Sequence, residues 1–222
     1  MFHVKHRRSG LDNARPVRHC ASMTTRADLL EVLEEARQLG ALGPGPVEDH
    51  VAHAQGFIDA LVGVHGRVLD LGSGGGIPGF VIAAARPDLH LTLIDAQARR
   101  VSFLDDAIAR LFPDGQVDAR HGRAETLARH DDLHGECNAV TARSFGPPAV
   151  VAECAVGFLV RGGRLLVSEP PEATARWPTA PLSILGFELG ERLAGIQVLT
   201  ATGEGDPRYP RRDGMPTKRP LF

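Results

Sequence analysis

The segment Val68-Leu-Asp-Leu-Gly-Ser-Gly-Gly-Gly-Ile-Pro-Gly79 restricts this chain to few folds. An apolar, strand-forming stretch runs into a turn holding Gly72, Gly74 and Gly76, and Pro78 then opens a helix-compatible run that reaches Ala85. Glycine permits positive φ and lets a ligand approach the backbone with no Cβ in the way. Proline suits a first helical turn, where its missing N–H would be unpaired in any case. Strand, glycine turn and helix in that order form the ligand-holding corner of a parallel α/β sheet. The alternation continues along the chain. Strands are predicted at 67–71, 90–95, 116–119, 139–142, 164–167 and 196–201, and helices at 78–85, 97–111, 124–129 and 148–159, which makes a doubly wound, mostly parallel sheet. Ahead of it, Leu29, Leu30, Leu33, Ala36 and Leu39 recur at helical spacing until Gly40. A second helix over 47–62 carries Val51, Ala54, Phe57, Ile58 and Leu61 on its apolar face, and Leu42-Gly-Pro-Gly-Pro46 is a rigid link between the two. The expected organisation is a basic disordered arm (1–22), N-terminal helices (23–64), the α/β domain (65–206) and a basic C-terminal tail (207–222).

Composition sets the outer bounds. The 222 residues are 43% hydrophobic and 23% charged, ordinary for a globular chain and unlike a disordered or collagen-like one. No apolar run approaches the roughly 18 residues of a spanning helix, so no membrane partner is expected. The N-terminus is basic but lacks the apolar stretch of a secretory signal. Cys20, Cys137 and Cys154 include no Cys-x-x-Cys pair, so neither a disulfide framework nor a zinc knuckle is expected, and a reducing, cytoplasmic setting fits. The net charge of −2 conceals an asymmetry. Lys5, Arg7, Arg8, Arg15 and Arg18 stand against Asp12 at one end, and Arg208, Arg211, Arg212, Lys218 and Arg219 against Asp213 at the other. Basic ends on an acidic body signify either a polyanion partner or two solvated tails.

Two details of the glycine turn speak to its ligand. A dinucleotide fingerprint places its third glycine three positions after the second, where this chain has Ile77. Asp70, two residues before the first glycine, would repel a pyrophosphate and suit a cation. S-adenosylmethionine carries a sulfonium and an ammonium and no phosphate. Asp95, at the end of the next strand, is placed to accept both ribose hydroxyls, a reading preferred here over a helix cap. Together these features are those of a class I S-adenosylmethionine-dependent methyltransferase, a Rossmann-like fold with a mostly parallel seven-stranded sheet, here with an N-terminal helical extension.

The segment after the fourth strand narrows the subclass. There is no Asn/Asp-Pro-Pro-Tyr/Phe tetrapeptide to orient an exocyclic amine, and no cysteine for covalent attack on a pyrimidine. Val140-Thr-Ala-Arg-Ser-Phe145 stands there instead. Arg143 suits an edge of guanine or a phosphate, and Phe145 a stacked base. Five segments then carry a family resemblance: Asp70 through Gly79; Leu93-Ile-Asp-Ala-Gln-Ala-Arg-Arg-Val-Ser-Phe-Leu104; Gly122-Arg-Ala-Glu125; Thr141-Ala-Arg-Ser-Phe145; and Tyr209-Pro-Arg-Arg-Asp-Gly-Met-Pro-Thr-Lys-Arg-Pro-Leu221. In order and spacing they resemble the bacterial 16S ribosomal RNA guanine-N7 methyltransferases, the glucose-inhibited division protein B family, over most of 47–222. The resemblance implies methyl transfer from S-adenosylmethionine to N7 of a guanine in the small ribosomal subunit; a monomer is expected. It implies that Gly72 and Ile77 line the cofactor, that Ala124 and Glu125 flank its adenine, and that Arg143 serves cofactor and target base. Asp70, Gly74, Gly76 and Asp95 complete the expected cofactor set. Phe145, Arg208, Arg211, Arg212, Lys218 and Arg219 form the expected RNA-binding set. N7 carries a lone pair and needs no deprotonation, so the reaction calls for in-line positioning and exclusion of water, without a strong base.

The sequence also departs from that family. Members usually show Lys-Gly after the fifth strand, whereas Arg164-Leu-Leu-Val-Ser-Glu-Pro-Pro171 puts Glu169 at the lysine's place, and a carboxylate there would repel RNA phosphate. A divergent member with another target, or a non-catalytic cofactor- or RNA-binding module, are the alternative readings. His50 and His53, spaced by three, lack a third ligand for zinc and read as part of a solvated helix face or a local salt bridge. Cys137 and Cys154 read as small packing residues. Trp177 reads equally as a lid or a core cap.

Overall fold

The computed structural model describes residues 24–171 and 175–222; the predicted arm at 1–22 lies outside them. Two helices come first, α1 (Arg26–Gln38) and α2 (Val47–Ala60), followed by β1 (Gly66–Leu71), α3 (Gly79–Ala85), β2 (Leu89–Asp95), α4 (Ala98–Leu111), β3 (Val117–His121), α5 (Ala124–Leu127), β4 (Cys137–Ala142), α6 (Pro148–Val156), β5 (Leu159–Ser168), α7 (Thr179–Leu185), β6 (Phe187–Leu193), β7 (Ile196–Ala201) and α8 (Met215–Lys218). The strands form one seven-stranded sheet in the order β3-β2-β1-β4-β5-β7-β6, parallel except for β7, which runs antiparallel to both its neighbours. The order reverses between β1 and β4, and it is at such a switch point that an α/β sheet opens a crevice at the carboxyl ends of its strands.

Both faces of the sheet are covered, so its strands read as apolar runs and not as strict alternation. Val68, Leu91 and Leu93 point into a core shared with α1, α2, α3 and α4, while Leu69, Leu71 and Ile94 point into a second core built with α5, α6 and α7. α1 starts at a capping box: the Thr25 hydroxyl accepts from the Asp28 N–H and the Asp28 carboxylate accepts from Thr25. Val32 is fully buried on its inner face, whereas Leu39, predicted to be apolar-facing, is half exposed where the helix has ended. α2 lies against the turn before β7 at Gly56, where a Cβ would stand 2.8 Å from the Ala194 carbonyl oxygen.

Several boundaries differ from expectation. β6 has one buried residue, Phe187, followed by six exposed ones, so it carries no apolar signature; as an edge strand it is defined by its pairing with β7. β5 begins five residues before the predicted strand, running through Gly162 and Gly163. Helix α3 begins at Gly79, with Pro78 at the N-cap instead of inside the first turn. The C-terminal segment, read from the sequence as a basic tail, is packed down as structure. Arg211 donates to both oxygens of fully buried Glu153 on α6 (2.8 and 2.6 Å), the Asp213 carboxylate accepts from the Thr126 hydroxyl, and the Gly214 N–H donates to Glu125 (2.9 Å). Among the described residues, no helix is long and apolar enough to cross a membrane.

Candidate functional site

The loop leaving β1 is shaped by its glycines. Gly72 has φ +70°, and a Cβ there would stand 2.5 Å from the Phe145 ring; Gly76 has φ +90°, and a Cβ would stand 2.2 Å from the Phe80 ring. Both positions combine a left-handed backbone with no room for a side chain, which glycine alone satisfies. Ser73 fastens the loop at two points, its N–H donating to the Ile94 carbonyl (2.9 Å) and its hydroxyl to the Asp70 carbonyl (2.9 Å).

Asp70 lies beneath this loop. Its carboxylate is 1% exposed and accepts from the Thr141 hydroxyl (2.8 Å) and the Gly79 N–H (3.3 Å), so it joins β1 to β4 and to the start of α3. Burial pushes its carboxyl up to about 6, against the lowering effect of Thr141, Ser73, Gly79 and Arg143. Asp70, expected to meet the cofactor, is buried beneath the glycine loop and does not itself line the three cavities around the strand ends. Asp95 does reach a cavity wall. It accepts from the Gly74 N–H (3.1 Å), the Gln97 N–H (2.8 Å) and Arg100 (3.4 Å), so the same carboxylate ties the glycine loop to the entry of α4.

Three cavities meet around the ends of β1, β2, β4 and β5. The first, about 270 Å³, is lined by Gly72, Gly74, Ile77, Arg100, Arg143 and the link between α1 and α2 at Gly40 through Gly43. The second, about 80 Å³, is lined by Gly72, Asp95, Ala124, Glu125 and Phe145. The third, about 480 Å³, lies beyond Arg143, Ser144 and Phe145 and is bounded by His53, Ser168, Glu169 and Arg176. Gly72 belongs to the first two, with the Phe145 ring against it. Arg143 and Ser144 belong to the first and third. Ser144 adopts φ +55°, an unusual conformation for a residue with a Cβ that costs of order 1–2 kcal/mol, and it turns the chain between Arg143 and Phe145.

Arg143 is oriented by a residue expected to face solvent. It donates to Nδ1 of buried His50, which leaves the proton on Nε2, and Nε2 donates to the Gly43 carbonyl (3.1 Å). The imidazole therefore joins Arg143 to the interhelical link that walls the first cavity. Burial pulls the Arg143 guanidinium below its ordinary value, and Asp70 draws it back up. His53, one turn further along α2, bonds the Ser168 hydroxyl through Nε2 (2.7 Å). Burial lowers its affinity for a proton, and the charge of Arg143 and the neighbouring His50 lower it further. The expectation of a solvated histidine face is thus overturned: α2 packs its histidines onto the site. Their spacing of three, among Val47, Ala54 and Phe57, was the available signal. The described residues contain no cluster able to hold a metal ion.

The remaining expected site residues divide. Gly76 shapes the loop from inside it. Arg211 is committed to Glu153, and Arg208 pairs with Asp206 (2.6 Å), so neither guanidinium is idle. Arg212, Lys218 and Arg219 lie toward the surface of the packed tail. None of these five tail residues lines the three cavities. Trp177 is buried and donates to Glu169 (3.2 Å), making it a core residue that also braces the third cavity. Cys137 and Cys154 are buried thiols, and burial raises that of Cys137 to about 12.

The sheet order, the reversed β7 and the cavities at the β1–β4 switch point define a class I S-adenosylmethionine-dependent methyltransferase fold. Solved structures of the antibiotic-resistance methyltransferase Kmr (TM-score 0.50, 17% identity, covering 66% of this chain and 92% of that one) and of the S-adenosylmethionine-dependent methyltransferase SibL in its apo form (0.50, 18%, 67% and 54%) share it. The chain belongs to the rRNA small subunit methyltransferase G (GidB) family, whose profile matches residues 47–175. Relatives named ribosomal RNA small subunit methyltransferase G include those of Alkaliphilus oremlandii, 30% identical over 70% of each chain, and Deinococcus radiodurans, 30% identical over 75% of this chain and 73% of the relative. That of Streptococcus pneumoniae is 32% identical over 70% of each chain.

Proposed function

We propose that this protein transfers the methyl group of S-adenosylmethionine to N7 of a guanine in small-subunit ribosomal RNA. The observation that carries the reading is the meeting of three cavities at Gly72, Arg143, Ser144 and Phe145: two on the cofactor side of the switch point, one beyond it, with family membership supplying the acceptor class. The residues fit the cofactor. The loop at 72–77 offers a backbone rich in glycine, Asp95 offers a carboxylate for ribose hydroxyls, and Ala124 and Glu125 edge the cavity suited to adenine. Arg100 and Arg143 line the other, where a methionine carboxylate would be matched by cations. When bound, S-adenosylmethionine supplies an electrophilic methyl on its sulfonium.

The chain's own groups then orient and shield. Arg143, fixed by His50, stands between the cofactor and acceptor cavities, where its N–H groups can hold O6 of guanine and leave the N7 lone pair free. Phe145 offers a ring on which the base stacks. His53, kept neutral by burial beside Arg143, and Ser168 line the far wall. No group has to remove a proton, because N7 already carries its lone pair, so rate enhancement comes from alignment and exclusion of water.

The test is transfer of labelled methyl to small subunits from cells lacking the guanine-N7 enzyme, with the product mapped by mass spectrometry. A single N7-methylguanine is expected. A folded, cofactor-binding protein that labels no small-subunit RNA would overturn the reading.

A further inference from the structure

Glu169 is the feature least at home in an RNA-facing cavity, and its surroundings reassign it. Its side chain is 2% exposed, with one oxygen taken by Arg176 (2.8 Å) and the other by the Trp177 indole N–H (3.2 Å). Its backbone is held as well, the N–H donating to the Gly195 carbonyl and the carbonyl accepting from Arg192. A carboxylate so enclosed has no free face for a base or a phosphate. What it does is fix Arg176, whose side chain is 34% exposed and lines the 480 Å³ cavity. Among the described residues, one N–H of that guanidinium is spent on a side chain, that of Glu169, which leaves four. With Arg143 also on the wall, guanidinium groups outnumber carboxylates among the described residues lining a cavity that the proposed function gives to a nucleotide.

We infer that Arg176, clamped by Glu169, binds a backbone phosphate of the RNA strand beside the target base. Glu169 is then a positioning residue that aims a cation, and its negative charge is neutralised locally instead of opposing the RNA. The inference rests on the reading of the acceptor as RNA.

The experiment measures binding of the full chain, saturated with S-adenosylhomocysteine, to small ribosomal subunits across a salt series, for the wild type, R176Q, R176K and E169Q, each checked by thermal melt. One lost phosphate contact lowers the slope of log affinity against log salt by about 0.7 for single-stranded RNA. R176Q is expected to bind about fivefold more weakly with the slope reduced by about that amount, and R176K to recover the slope. E169Q, which keeps the tryptophan's partner and frees the guanidinium, is expected to weaken binding at nearly unchanged slope. An R176Q slope equal to that of the wild type, or equal losses in R176Q and R176K with no change of slope, would overturn the assignment. Methyl incorporation by the wild type on the same subunits tests the reaction separately. Incorporation with an unaltered R176Q slope removes the phosphate contact alone, whereas a reduced slope without incorporation keeps the contact and removes the proposed reaction.

Discussion

Replacing Asp70 by asparagine isolates the cost of keeping a carboxylate beneath the glycine loop. The side chain is 1% exposed, and burial raises it from 3.8 to about 6. The folded protein therefore holds a proton that the unfolded chain has released over that pH window. Stability contributed by the protonated form is fully present below pH 3.8 and is lost as the pH rises through 6, a total of about 3 kcal/mol. About 2 kcal/mol of this falls between about pH 4.5 and about pH 7.5. Asparagine preserves the local bonding: its oxygen accepts from the Gly79 N–H, and its amide donates to the Thr141 hydroxyl, which can rotate to accept. Other groups titrate in the same range, so the informative quantity is the difference between wild type and Asp70→Asn in urea unfolding at several pH values. The variant is expected to gain on the wild type by about 2 kcal/mol from about pH 4.5 to 7.5. Parallel stability curves for the two proteins would refute the argument. Asp70→Ala leaves a buried N–H and hydroxyl unpaired and is expected to lose about 2 kcal/mol or more at neutral pH, weakening cofactor binding through the loop.

Gly72→Ala would place a methyl 2.5 Å from the Phe145 ring at φ +70°, so calorimetry should show cofactor affinity lost while most of the fold survives a thermal melt. Glu153→Ala would strand Arg211 beside the α6 core, and chemical unfolding should report about 3–5 kcal/mol of destabilisation with release of the C-terminal segment to proteolysis. His50→Ala frees Arg143 from its imidazole partner, and kcat should fall at least tenfold with little change in melting temperature; unaltered kcat would remove His50 from the site. His53 is held neutral, so its contribution to stability is present above its ordinary value of 6.5 and lost as the pH falls below it, and a His53→Gln variant should unfold with a shallower dependence on acid in that range.

The order of elements is legible in the chain because it depends on local rules. A buried parallel strand is a short apolar run, a helix repeats its apolar residues every three or four positions, and left-handed turns need glycine. Those rules place β1 through β4, the loop at 72–77 and Asp95 at the end of β2, and with them the fold and the kind of ligand. Asp70 marks the glycine loop in the sequence, but the direction of its side chain follows from packing: Thr141, 71 positions away, takes the carboxylate inward. The cations of the tail look alike in sequence, yet Arg211 finds a buried glutamate on α6 while Arg212 has no such partner among the described ion pairs. The same dependence on distant partners governs His50, which becomes part of the site because α2 lies across the end of β4 and brings Arg143 within reach. Glu169 shows the point most sharply, since a carboxylate that would repel RNA if left open is enclosed by Arg176 and Trp177 once β5 and the segment before α7 fold together. Backbone conformation is set within a few residues and can be read from the chain. Which charges are neutralised, and which remain to meet a ligand, is set by contacts between segments far apart in sequence, and only the folded structure decides it.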